Sequence, residues 1–137
     1  MKKSVSRKAD HAGSWYSDDP KDLHSELSSY LAKADQTVSH DKHLKCLISP
    51  HAGFAYSGPT AAWAYKNINP VKYKTVVILG PSHHAYLDSC AVSGASTFET
   101  PLGDLKAHSG IVEYLLESKI FPEIPLKVDE AEHSIEM

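Results

Sequence analysis

The sequence predicts an α/β fold, a mainly parallel or mixed sheet with flanking helices. Three observations carry this expectation. Leu44–Ser49 and Thr75–Leu79 are short apolar runs of the kind that buried parallel strands use. Each run ends at a proline with a histidine close behind, Pro50-His51 after the first and Pro81-Ser82-His83-His84 after the second. The segment joining them has the length of a helical crossover, which parallel strands require.

In an open α/β sheet, residues just past the carboxyl ends of the strands line the crevice where ligands sit. Two histidines delivered there by one βαβ unit project from the same rim. Neighbouring strands lie about 4.8 Å apart, so His51 and His83 are expected to approach a single ion even with one strand between them. The other reading open at this point is that each histidine donates a hydrogen bond within a tight turn.

Size and charge narrow the function. The 137 residues fit one domain, 1–137, with a modest core. A formal net charge of −3 gives no reason to expect nucleic acid or an anionic membrane as partner. Lys2, Lys3, Arg7 and Lys8 crowd the start, but Ser4, Ser6 and Asp10 interrupt them and no apolar run follows, so they do not form a signal peptide. No stretch approaches the roughly 18 consecutive apolar residues of a membrane span. The expected setting is intracellular and soluble: the cytoplasm, with the nucleus second. Cys46 and Cys90 sit in apolar runs and read as reduced, buried small hydrophobes. Nine histidines are many for this length and hint at metal chemistry, although His24, His40, His43 and His108 stand in polar or helical-surface settings.

Taken in order, Arg7–Tyr16 has no period, and Trp15 and Tyr16 either wedge against the core or wall a pocket. Ser17-Asp18-Asp19 offers an N-cap and Pro20 a first helical turn for a helix through Leu23, Leu27, Tyr30 and Leu31. The polar run Ala34–Asp41 reads as a loop. After strand Leu44–Ser49, Ser57-Gly58-Pro59-Thr60 is expected to open a second helix through Tyr65, closing near Asn67 to Pro70. Its small residues suit close packing on a sheet, and the right-handed crossover rule places it on one face.

Strand Thr75–Leu79 follows, and Asp88–Ser93 reads as another short strand. Thr97–Asp104 reads as a loop anchored by Phe98, and Ser109–Lys119 as a third helix with Ile111, Val112, Leu115 and Leu116 on its apolar side. Ile124–Val128 reads as an edge strand because of Pro125. Glu132–Glu136 reads as a capped helix start, and the chain is expected to be cut from a longer protein at that point.

The stretches His11–Tyr16, Pro50–Gly58, Ile78–His84, Thr100–Leu105 and Glu132–Met137 resemble the Memo family, the mediator of cell motility proteins, in order and spacing over almost the whole chain. The resemblance implies the N-terminal part of a fold of the LigB type, that of the extradiol non-haem iron dioxygenases. It implies an iron or copper ion with His51 and His83 as metal ligands. A third ligand, a cysteine, is expected beyond Met137, and Cys46, five residues before His51, is no substitute. His84, His133 and Glu132 become candidates for orienting the ligands or handling protons. On this reading the parent protein is a metal-dependent oxidoreductase.

The family is also linked to receptor tyrosine kinase signalling and cell motility, which suggests a second function. Trp15, Tyr56 and the histidines would wall a cleft for a phosphotyrosine-containing peptide, without catalysis. The sequence lacks the arginine cluster that such recognition normally employs. A third expectation is an inactive fragment with an open core.

Overall fold

The computed structural model describes residues 4–38 and 42–137. Lys2, Lys3 and the Ser39-His40-Asp41 end of the expected polar loop lie outside the described residues. The chain divides into two compact units, one of Met1–His11 with Leu79–Glu136 and one of Ala12–Ile78 with Met137. The architecture is mixed α/β, with short mixed and parallel sheets.

In the first unit, β1 (Ser6–Arg7) runs parallel to β3 (Thr97–Phe98), and β3 pairs antiparallel with β4 (Leu105–Lys106), giving the order β1-β3-β4. Thr97–Asp104, expected to be all loop, therefore begins with a strand. The turn that follows closes through Gly103 N–H donating to the Thr100 carbonyl at 3.0 Å, with Gly103 at φ +121°, a conformation glycine adopts without strain. A second sheet joins β2 (Val92–Ser93) in parallel to β5 (Glu123–Ile124). Helix α3 (Ser109–Glu117) lies between them in sequence and packs on β2. Its amphipathic spacing was legible, and the His108 ring caps it by accepting from Ile111 N–H at 3.3 Å.

Pro125 does not mark an edge strand beyond Ile124. It is the N-cap of α4 (Leu126–Ala131), where a residue with no N–H sacrifices nothing. Glu132 is consequently the C-cap of α4 and starts no helix. The unit is centred on a charged residue: Arg7, 2% exposed. Its guanidinium donates to the Asp129 carboxylate at 3.0 Å, to the Asp129 and Glu132 carbonyls at 2.8 and 2.6 Å, and to the Glu136 carboxylate at 3.1 Å. A buried cation is tolerable only with its donors satisfied in this way.

In the second unit, α1 (Pro20–Lys33) forms as its local signals dictate: the Asp19 carboxylate accepts from Lys21 and Asp22 N–H at 2.8 and 3.1 Å, and Pro20 occupies the first turn. It buries Leu23 and packs against α2 (Phe54–Tyr65). Helix α2 starts a turn earlier than Ser57, because Gly53 serves as N-cap and its carbonyl accepts from Tyr56 and Ser57 N–H at 2.8 and 3.1 Å. Pro59 then falls inside the helix. The small residues of α2 meet α1, with the Tyr30 ring resting over Gly58. A cavity of about 240 Å3, apolar and lined by Leu27, Tyr30, Leu31, Phe54, Ala61 and Tyr65 among others, lies between the two helices. Buried Asn67 ties the chain leaving α1 to α2, accepting from Thr37 and Val38 N–H at 2.9 and 2.7 Å and donating to the Trp63 carbonyl at 2.7 Å.

Two expectations fail together. Leu44–Ser49 and Thr75–Leu79 form no strand among the described residues. Cys46 and Cys90 are exposed and not buried. A strand exists only through its partner's hydrogen bonds, and neither run has one here.

Candidate metal centre

His83 sits in the loop after Thr75–Leu79, and residues at the end of α4 hold it. Gly80 makes the approach possible: a Cβ there would lie 2.6 Å from Ser134 Oγ and 2.9 Å from Ile135 Cδ1. Ser134 Oγ donates to the Pro81 carbonyl at 2.7 Å, pinning Pro81 to the segment that follows α4.

The Glu132 carboxylate then grips His83 twice. One oxygen accepts the His83 backbone N–H at 2.5 Å, and the other lies 2.8 Å from the ring Nδ1. That second oxygen also accepts Ser134 N–H at 3.1 Å. Burial, with Glu132 only 5% exposed, pushes its carboxyl up, but the hydrogen bonds from His83 and Ser134 outweigh this and hold it down to about 2. An ionised carboxylate only accepts, so Nδ1 carries the proton and the ring's lone pair sits on Nε2. This is the arrangement by which a carboxylate orients a metal-binding imidazole.

His133 adds a second ring. It stacks on His83 with centroids 4.3 Å apart and 23° between planes, and Nδ1 is 3.6 Å from Glu132. The two imidazoles offer nitrogens within 4.8 Å of each other. That separation lets both rings take part in holding one metal ion. Behind His133 lies His11, 6.1 Å away and edge-on. Glu136 fastens His11 through its N–H and Nδ1, each at 2.9 Å, and is itself paired with Arg7.

The other expected site residues are placed as follows. His84 is exposed beside His83. His51 belongs to the second unit, half-buried, two residues before the N-cap of α2. Trp15 is 37% exposed and its carbonyl accepts Phe54 N–H at 3.0 Å, while Tyr56 stands 86% exposed on the first turn of α2. Neither lines the cavity between α1 and α2. Arg7, His11 and Glu136 were not foreseen as a network. The available signal was that Arg7 is the chain's one arginine.

Residues 7–137 match the model of the family described as Memo-like protein. The chain is 42% identical over 135 residues to Protein MEMO1 of Xenopus laevis, covering 98% of this chain and 44% of that protein. It is 41% identical over 133 residues to Protein MEMO1 of Homo sapiens, covering 97% and 44% respectively. Against the Protein memo-1 homolog of Caenorhabditis elegans the identity is 42% over 131 residues, covering 96% of this chain and 37% of the relative. The chain thus spans less than half the length of these curated relatives. This match along nearly all of its residues makes the chain a member of the Memo-like family.

Proposed function

We propose that this chain contributes His51 and His83 to an iron or copper centre of a metal-dependent oxidoreductase of extradiol-dioxygenase type. The observation that carries the reading is the Glu132–His83 pair: a buried carboxylate of low pKa that fixes the Nδ1–H tautomer and turns Nε2 into the metal-binding nitrogen. Neutral imidazoles suit either metal. The inclusion of His51 rests on the Pro50–Gly58 motif that the family match spans. When bound, such an ion supplies redox cycling and activation of dioxygen. The chain's own groups would orient His83 through Glu132 and place the His133 ring against it.

The phosphotyrosine-peptide reading draws less support. Arg7, the guanidinium best suited to a phosphate, is buried among Asp129 and Glu136. Elemental analysis of a chimera in which these 137 residues replace the matched segment of Xenopus laevis MEMO1, after loading with Fe(II) or Cu(I), tests the metal reading. It predicts stoichiometric metal that falls at least tenfold in His51→Ala and in His83→Ala. Unchanged metal content in both variants refutes it.

A further inference from the structure

Two carboxylates in the first unit hold a histidine in the same way. Glu132 takes the backbone N–H of His83 at 2.5 Å on one oxygen and meets the ring Nδ1 at 2.8 Å with the other. Glu136, further along the same segment, does this to His11, with N–H and Nδ1 each at 2.9 Å. Arg7 joins the two grips. Its Nη2 donates to the Glu132 carbonyl at 2.6 Å and its Nη1 to Glu136 Oε2 at 3.1 Å, the same oxygen that meets the His11 ring. Its Nε donates to the Asp129 carboxylate at 3.0 Å, which also accepts from Ser93 Oγ on β2. His133 faces both held rings, stacked on His83 with centroids 4.3 Å apart and edge-on to His11 at 6.1 Å.

Stability alone is a poor reason for this arrangement. A buried cation among buried carboxylates, here Asp129 and Glu136, is often no more stabilising than well-packed apolar residues of similar volume. What an arginine adds is direction: its planar fork of five N–H donors fixes the groups that accept from it, which neither an apolar side chain nor a point charge does. We infer that Arg7 is a positioning residue of the metal centre, setting the orientation of the His83 and His11 rings through Glu132 and Glu136, and that of His133 through its contacts with both. The inference rests on the metal reading above and extends it to a residue that offers a metal no ligand atom. A ring aimed before the metal arrives binds it more tightly than one that must be ordered on binding.

The test compares the chimera described above, labelled with nitrogen-15 at histidine, with its Arg7→Lys and Glu136→Gln variants. Lysine keeps the charge beside Asp129 and Glu136 but presents a compact ammonium where the fork was, so it supports folding without holding both grips in one frame. In the metal-free Arg7→Lys protein the His83 ring should lose its single Nδ1–H tautomer, and affinity for Fe(II) or Cu(I) should fall about tenfold. An arginine that only stabilises the fold predicts neither change in a variant that still unfolds cooperatively. Glu136→Gln leaves Arg7 and Glu132 in place and loosens His11; the His133 ring signals should shift, and metal should again bind about tenfold more weakly. A folded variant of either kind that keeps its unsubstituted value in either readout overturns the inference. If Arg7→Lys does not fold, Glu136→Gln decides, and failure of both to fold assigns the network to stability and also overturns it. Should the chimera itself not fold, the same spectra are recorded on the intact chain and decide. Metal content judges the reading beneath: absent metal, or metal retained in both His51→Ala and His83→Ala, refutes the centre, and the metal-free spectra then decide whether Arg7 orients the rings.

Discussion

The carboxylate of Glu132 meets His83 at two points, the ring Nδ1 at 2.8 Å and the backbone N–H at 2.5 Å, so one buried acid fixes both the tautomer of the imidazole and the position of its loop. Glu132→Gln keeps the shape but replaces an ionic acceptor with an amide. Hydrogen bonds to charged groups contribute about 1.5–3 kcal/mol, so stability in urea should fall by about that amount. Metal affinity should drop about 10- to 100-fold, the usual consequence of losing the group that orients a ligand. A variant that unfolds at the same urea concentration as the wild type contradicts this.

The same acid sets a pH dependence. Its carboxyl is held down to about 2 from an ordinary 4.5, so the folded state binds this proton more weakly than the unfolded state. The stabilisation is complete above the unfolded value and is lost as pH falls from about 4.5 towards 2. Over that window the wild type should lose on the order of 2–3 kcal/mol more than Glu132→Gln. Parallel stability curves for the two proteins rule the assignment out.

Arg7 is the opposite charge in the same unit. Arg7→Met leaves the Asp129 and Glu136 carboxylates, whose side chains are 7 and 4% exposed, without their cation. Breaking a buried pair from one side costs about 3–5 kcal/mol. Neutralising the acids as well, in Arg7→Met with Asp129→Asn and Glu136→Gln, should recover part of the loss. A single variant within about 0.5 kcal/mol of the wild type, the range of ordinary surface changes, refutes the central role of this network.

In the second unit the close approach of α1 and α2 depends on Gly58. A Cβ there would lie 2.5 Å from the Tyr30 ring, so Gly58→Ala must displace the ring and should cost about 1–3 kcal/mol. Tyr30→Ala removes the obstacle, and the two changes together should be less damaging than the sum of each. Strict additivity in thermal or urea unfolding contradicts the contact.

What the sequence disclosed follows the range of the forces involved. The start of α1 was legible because Asp19 and Pro20 act on residues two or three positions away, and α3 because its apolar spacing is local. Pro125 was ambiguous, since it suits both a strand edge and a helix start, and only the bonds from Val128 and Asp129 N–H back to its carbonyl decide between them. The runs before His51 and His83 have strand composition, but a strand also needs a partner, and composition does not provide one. His83, Glu132 and His133 were each visible as candidates. Their pairing spans 49 residues of chain, and that of Arg7 with Asp129 spans 122, separations at which no spacing rule operates.

The most direct test of the central claim reads the His83 ring itself by nitrogen-15 NMR at neutral pH, before and after addition of Fe(II) or Cu(I). The account predicts a ring protonated on Nδ1 and a metal-induced perturbation at Nε2, with the exposed His24 ring unaffected. A ring protonated on Nε2, or one indifferent to both metals, would contradict it.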